Sequence, residues 1–411
     1  MYLRTKTENY FLYALIYSCL MYVVIFVWTN GYLPKPFFYV KSDTFMDFFN
    51  PLYWSERQDI YSEWKSVYTP FTFLILNIFP TLDIDASPKI LREYNYLYLI
   101  VIYLGVFFSS TLILLKNIER QKFLIFSIVF MTLPFIYTLE RGNLLFLAFV
   151  FLLLALRNDN KVFFFSIFLA MAISLKIFLA AILLIPLLSL QFTRVFLILF
   201  FTYFINEISA MILGLDNWWS FIDNMFSFTG NIKYYESSYF SLSYKNIFNS
   251  FSGYKPDYAE LIFWLGLIIQ LSVVLIFSIV CLKFLFMSAH NKSRNKDTLL
   301  LLLLMFAMIS VKNIGGYASI LLMPFVHIII RNRITLYPFI LIVLPIDFSI
   351  LSINHLEINS FISDEMVLLT RDLSLGMILR PFIFLLLFII ISINFLMNSK
   401  SDHQNKRAAY A

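Results

Sequence analysis

The sequence predicts an all-α, polytopic membrane protein folded as a single membrane-embedded domain over residues 1–411. Sixty per cent of the residues are apolar and only 14% are charged, whereas soluble domains carry about 25% charged residues. The apolar residues come in long runs and not as amphipathic stripes, which gives a mean hydropathy of +0.79. No polar interval is long enough for a separate soluble domain.

The first apolar run, about residues 10–29, follows Arg4 and Lys6. It ends in Val-Trp-Thr-Asn-Gly-Tyr with no small-residue cleavage site, so it reads as an uncleaved anchor. A first external loop follows at 30–93. Spans are predicted at 94–115, 123–138, 144–156, 162–175, 177–193 and 195–213, and then an aromatic external loop at 214–256. Further spans lie at 260–287, 298–311, 317–330 and 334–352. They are followed by a late external loop at 353–373, a last span at 375–397 and a basic tail at 398–411. The bundle thus holds about 10–13 transmembrane helices. A segment such as 144–156 reaches only about 20 Å as a helix, against a hydrocarbon core of about 30 Å, so several are expected to be re-entrant or paired short helices.

With a cytoplasmic N-terminus, the short loops rich in Lys and Arg (116–122, 157–161, Arg194, 283–297, 331–333 and the tail) fall inside, while the long external loops hold most of the acids. The expected setting is a bacterial inner or plasma membrane with both termini cytoplasmic. The formal net charge of +6 is then a topology signal, and no nucleic-acid partner is expected. Cys19 and Cys281 sit in apolar runs, which indicates neither a disulfide framework nor a thiolate site. His290, His327, His355 and His403 are scattered, so no dedicated metal site and no cofactor are expected, although a divalent cation accompanying substrate stays open. No P-loop or GxGxxG opens a soluble α/β domain.

The unusual polar residues collect on the external side and near the ends of apolar runs. They are Asp43 and Asp47, Tyr68, Glu140-Arg141-Gly142-Asn143, Lys176, Trp218-Trp219, Lys312-Asn313 and the 355–372 loop. Ionisable groups at membrane depth are expensive and mark function. A pocket built from these would suit a lipid-linked substrate.

In chain order these features resemble the polyprenyl-phosphate-sugar-dependent glycosyltransferases of the GT-C superfamily, most closely glycosyltransferase family 87. The resemblance rests on Asp43, then Tyr61 and Tyr68-Thr-Pro70, then Gly142-Asn143 and Lys176 opening the next span, over roughly residues 40–325. Asp47-Phe48 matches the family's common Asp-Phe pair. Late in the chain, Ser310-Val-Lys-Asn-Ile-Gly-Gly-Tyr317 stands where the family has a Ser-Pro-x-x-Trp-x-His-Tyr-like turn, without its Pro, Trp and His.

The resemblance implies a GT-C-like bundle and an inverting transfer of a hexose or pentose from a polyprenyl-phosphate donor to an envelope glycan or glycolipid acceptor. Functional partners would be a polyprenyl-phosphate glycosyltransferase and a flippase. A carboxylate must help remove the acceptor proton, and Asp43 is the first candidate, Asp47 the second. The leaving phosphate needs fixed cations, for which Lys176, Arg141 and Lys312 are the candidates. Tyr61, Tyr68, Glu140, Asn143, Trp218, Trp219, Asn313 and Tyr317 are expected to line the substrates. An O-antigen-type polymerase or ligase would lean on basic residues in its late external loop. A transporter or flippase would show repeats and charges at span centres. Neither pattern is evident here.

Overall fold

The computed structural model describes residues 45–55, 59–79, 133–230, 256–311, 315–329, 333–344, 349–359 and 366–409, together with Arg57 and isolated positions between 87 and 105 and between 242 and 248. The proposed anchor at 10–29 and span at 94–115, most of the 123–138 span, and Asp43, Lys312 and Asn313 lie outside the described residues.

The first helices are α1 (Met46–Ser55), α2 (Pro70–Leu76), α3 (Leu133–Arg141), α4 (Leu145–Arg157) and α5 (Val162–Leu175). A 3₁₀ segment, Ile177–Leu183, leads into α6 (Leu184–Leu188), then α7 (Phe192–Leu213), α8 (Ser220–Gly230), α9 (Ala259–Leu285) and α10 (Ala289–Ser310). A second 3₁₀ segment, Gly316–Phe325, runs into α11 (Val326–Ile329), followed by α12 (Arg333–Val343), strands β1 (Ser349–Asn359) and β2 (Met366–Ser374), and α13 (Leu375–Ala409).

Among the described residues three helical stretches are long and apolar enough to cross a membrane: Phe192–Leu213, Ala259–Leu285 and Ile378–Met397. The rest of the apolar sequence folds as shorter helices, including α4, α5, 177–188, 316–329 and α12. The 144–156 segment, expected to be too short for the bilayer, is one of these, whereas the expected spans 177–193 and 334–352 also fold as shorter helices.

Burial separates centre from periphery. Leu299–Leu304 of α10 and Ile320–Met323 of the second 3₁₀ segment are fully or nearly fully buried. On α7 and α9, Phe196, Phe200, Leu261, Phe263, Leu271 and Leu275 are exposed apolar side chains. A helix that is apolar all round needs an apolar surrounding on every side, so α7 and α9 form the lipid-facing wall and α10 the core. Buried Ala148 and Ala155 on α4 and Ala170 and Ala172 on α5 let these two short helices approach closely.

Three boundaries differ from expectation. The stretch expected as a late external loop is an antiparallel ribbon in which Ser349 pairs with Ser374, Ile353 with Arg371 and Asn359 with Met366. Its Ile- and Val-containing stretches satisfy their backbone groups across a ladder. Helix α12 stops at Val343, two residues before Pro345, instead of running on toward 352, because the residue before a proline is pushed out of helical geometry. Helix α10 begins at Ala289, with Ser288 capping Asn291 N–H, so the basic stretch preceding the expected 298–311 span is itself helical.

The two ends of the α4–α5 pair carry different chemistry. At the far end Asp159 accepts from Arg194 Nη1 at 3.0 Å and pairs with Lys296, joining three of the loops predicted to lie on the cytoplasmic side. Asn143 and Lys176 sit at the opposite ends of the same two helices. With 13 and 14 residues, these helices separate the two polar regions by about 20 Å.

Candidate active site

The link between α3 and α4 sets the site. Gly142 has φ +65, its N–H bonds Leu139 O at 2.9 Å, and Asn143 N–H bonds Thr138 O at 3.1 Å. This pair of bonds closes a helix C-terminus around a left-handed residue, a place where glycine avoids the Cβ penalty. A Cβ at Gly142 would also stand 3.0 Å from Phe45 O and from Phe48 Cβ at the start of α1. Gly142→Ala should therefore lose about 1–2 kcal/mol from the backbone conformation alone, and more as α1 is displaced. A lowered melting temperature together with lost activity would confirm it.

Asn143 then bridges three segments. Its side-chain oxygen accepts Leu145 N–H at 3.0 Å at the start of α4, and its Nδ2 donates to Asp47 Oδ2 at 2.8 Å. Arg141 Nη2 donates to Asp47 Oδ1 at 2.8 Å. Both oxygens of the Asp47 carboxylate are thus held by side chains of the α3–α4 link. Asp47 lies on α1, outside the three helices long and apolar enough to cross a membrane. Burial on its own would raise its pKa. The Arg141 charge, the hydrogen bonds from Arg141 and Asn143 and the charge of Lys176 outweigh burial and hold it below the ordinary carboxylate value.

A second network delivers Lys176. Pro70 opens α2 at a position where a proline costs no helical hydrogen bond. Thr69 donates to the Ser174 carbonyl, as does Thr72 at 3.4 Å. Asn206 on α7 accepts Phe71 N–H at 3.3 Å and donates to Ser174 Oγ at 2.9 Å. These bonds tie the start of α2 to the last turn of α5, whose carbonyls lack helical partners. Two residues past Ser174 the backbone is extended at Lys176 (φ −142, ψ 96), and the ammonium lies 5.1 Å from the centre of the Tyr68 ring. Burial, the Asp47 carboxylate and Tyr317 push the Tyr68 phenol well above its usual pKa, against the opposing charge of Arg141. Tyr68 is a neutral hydroxyl at any working pH.

Tyr317 closes the remaining side. Its ring lies 5.5 Å from that of Tyr137 and folds back over Gly315, where a Cβ would be 2.3 Å from a ring carbon. Asp47 and Arg141 are within electrostatic reach of it. Asp47, Tyr68, Arg141, Asn143, Lys176 and Tyr317, far apart in the chain, therefore meet in one place, and buried Glu140 adjoins them through its carbonyl, which accepts Phe45 N–H at 2.8 Å. The group can hold an anion on two cations beside a carboxylate.

Other expected residues sit elsewhere. Tyr61 is buried with its ring edge-on to Phe73 at 6.1 Å. Trp218 and Trp219 stack on each other at 4.1 Å, Trp219 stacks on Tyr203 of α7, and Trp218 Nε1 donates to Glu207 at 3.2 Å. None of these contacts involves the Asp47 group. Sequence reasoning missed Tyr137, although it lies one turn before Arg141 on the same face of α3, and Asn206, a lone amide in an apolar run. Among the described residues no cluster of three His, Cys, Asp or Glu could hold a metal.

No curated protein and no solved structure matches the chain. The description of glycosyltransferase family 87 matches residues 66–311, a stretch that includes Tyr68-Thr-Pro70, Gly142-Asn143 and Lys176 and begins after Asp47. That match covers more than half of the 411 residues, and with it the chain belongs to glycosyltransferase family 87, within the GT-C superfamily of membrane glycosyltransferases.

Proposed function

We propose that the protein transfers a hexose or pentose, with inversion, from a polyprenyl-phosphate donor to an envelope glycan on the external side of a bacterial plasma membrane. The observation that carries this reading is the Asp47–Arg141 pair at 2.8 Å with Lys176 beside it, Arg141 and Lys176 falling within the stretch that matches the family. The acceptor hydroxyl attacks the anomeric carbon and its proton passes to a carboxylate. The bond between that carbon and the phosphate oxygen breaks, and polyprenyl phosphate leaves with the negative charge. Arg141 and Lys176 face that charge, where preorganised cations act most strongly.

Asp47 is the favoured base because it stands beside these cations. In the resting site Asp47 is a weak base, since both oxygens are engaged and its pKa is lowered. A donor phosphate competes for Arg141 as a bidentate partner. That competition frees Oδ1 and removes the main influence lowering the pKa, so the base gains strength when the donor is bound.

The deciding measurement is transfer of label by purified protein from a polyprenyl-phosphate sugar, with the product's anomeric configuration read by NMR. Label should move to the glycan with inverted configuration, and a nucleotide sugar should not substitute. Equal use of a nucleotide sugar, or retained configuration, would overturn the reading.

A further inference from the structure

Beyond Asp47, helix α1 continues as a row of polar groups that the fold leaves unused. Asp47, Asn50 and Trp54 are spaced i, i+3 and i+7 and so share one face of the helix. Asn50 Oδ1 and Trp54 Nε1 are buried atoms without a hydrogen-bond partner, and so are Tyr61 OH and Trp64 Nε1 from the turn that follows. A buried polar atom left unmade costs about 1–3 kcal/mol, and native structures keep few of them. Four in one stretch between residues 50 and 64 are therefore unlike ordinary packing. Tyr61, whose residue is only 5% exposed, is the most enclosed of them.

The surrounding rings are arranged as a shelf. The Trp54 and Trp64 indoles are stacked with centroids 6.2 Å apart and planes 25° apart, and Tyr53 meets Trp64 edge-on at 5.7 Å. Arg57 spans Tyr53 at 4.3 Å and Trp64 at 5.7 Å, and Nη2 donates to the Tyr53 hydroxyl. Asn224 of α8 fixes the turn from outside by donating to Tyr61 O at 2.9 Å and Ser66 O at 3.2 Å. A braced turn of half-buried aromatic rings, with two N–H donors, an amide and a phenol buried unpaired among them, matches a sugar ring, which has apolar C–H faces and a rim of hydroxyls. The one cation of the shelf, Arg57, is engaged with the Tyr53 hydroxyl and the two rings, and a lipid tail would leave the polar atoms unmet.

We infer that the α1 face from Asn50 to Trp54, with Tyr61 and Trp64, is a subsite for sugars of an oligosaccharide acceptor beyond the one that reacts at Asp47. Asp47 and Trp54 are seven residues apart, about 10 Å along the helix, which leaves room for a sugar past the reacting unit. The inference rests on the proposed transfer for the position of the reacting sugar. It specifies that the acceptor is a glycan chain and not a simple alcohol or a single sugar.

Direct binding separates this inference from the donor chemistry. Full-length protein in nanodiscs is titrated calorimetrically, without donor, with delipidated envelope polysaccharide fragments of graded length and with a monosaccharide glycoside. Wild-type Kd should tighten with length. Trp54→Phe and Trp64→Phe, which remove the N–H and keep a ring, should weaken binding of the longer fragments about ten-fold and leave the monosaccharide glycoside unaffected, with Asn50→Ala as a further variant should either Trp variant fail to fold. The inference is overturned by wild-type affinity independent of length, or by variants that lower the melting temperature while keeping wild-type Kd, since the N–H groups would then serve the fold. Failure of label transfer with length-dependent binding intact would instead count against the proposed donor.

Discussion

Asp47→Asn is expected to lower sugar transfer by about 10²- to 10⁴-fold, the usual contribution of a positioned general base. The amide keeps the shape of the carboxylate and can still meet Asn143 or Arg141, but it can neither take the acceptor proton nor balance the Arg141 charge. Arg141 and Asp47 are each only about a fifth exposed, with side-chain accessibilities of 20% and 22%, so leaving Arg141 unbalanced should also lower the melting temperature, and transfer is therefore compared at equal amounts of folded protein, well below the variant's melting temperature. Full turnover in the variant would pass the role of base to Asp43. The pH profile gives a second reading of the same group. The lowered pKa of Asp47 means its carboxylate persists as pH falls through the ordinary range and is lost only below it. Arg141→Met removes the principal lowering influence and leaves burial, which raises the pKa. The acid limb of the residual kcat/KM, which reports the free enzyme, should therefore move to higher pH. A limb that stays in place would show that Asp47 is not the titrating group.

Lys176→Met is expected to reduce kcat/KM for the donor by about 10²-fold, on the scale of removing one preorganised partner of a developing charge. A lysine at membrane depth costs about 2.5–3.5 kcal/mol at the centre of a span unless it reaches the interface or meets an anion. Here it stands at the break between α5 and the 3₁₀ segment, over the Tyr68 ring and near the Asp47 carboxylate. Lys176→Arg should recover part of the activity through its charge, though a planar fork placed for an ammonium will not recover all of it. Transfer should respond through donor KM or turnover while the acceptor KM changes little. Unchanged kinetics at limiting donor would reduce Lys176 to a residue extending toward the interface and leave the phosphate to Arg141.

The sequence was enough to identify a helical membrane protein and to locate its short helices, because burial in lipid requires apolar runs whose lengths can be read directly. It also pointed to Tyr68, Gly142-Asn143 and Lys176, since a Tyr-x-Pro turn, a left-handed glycine and a lysine in an apolar run each break a local rule visible without coordinates. The ribbon at 349–374 was not legible, because its strands find their partners only through pairing with each other. Only tertiary structure brought Asp47 to Arg141 and Asn143, placed Tyr137 beside Tyr317, and set Trp218 and Trp219 against Tyr203 and Glu207 instead of the site. The physical reason is range: membrane insertion and capping act within a few residues of chain. Which carboxylate meets which cation depends on how α1, the α3–α4 link and the end of α5 pack, and that is decided by a buried glycine contact and by the Thr69–Ser174 and Ser174–Asn206 hydrogen bonds, between residues 105 and 32 apart in the chain.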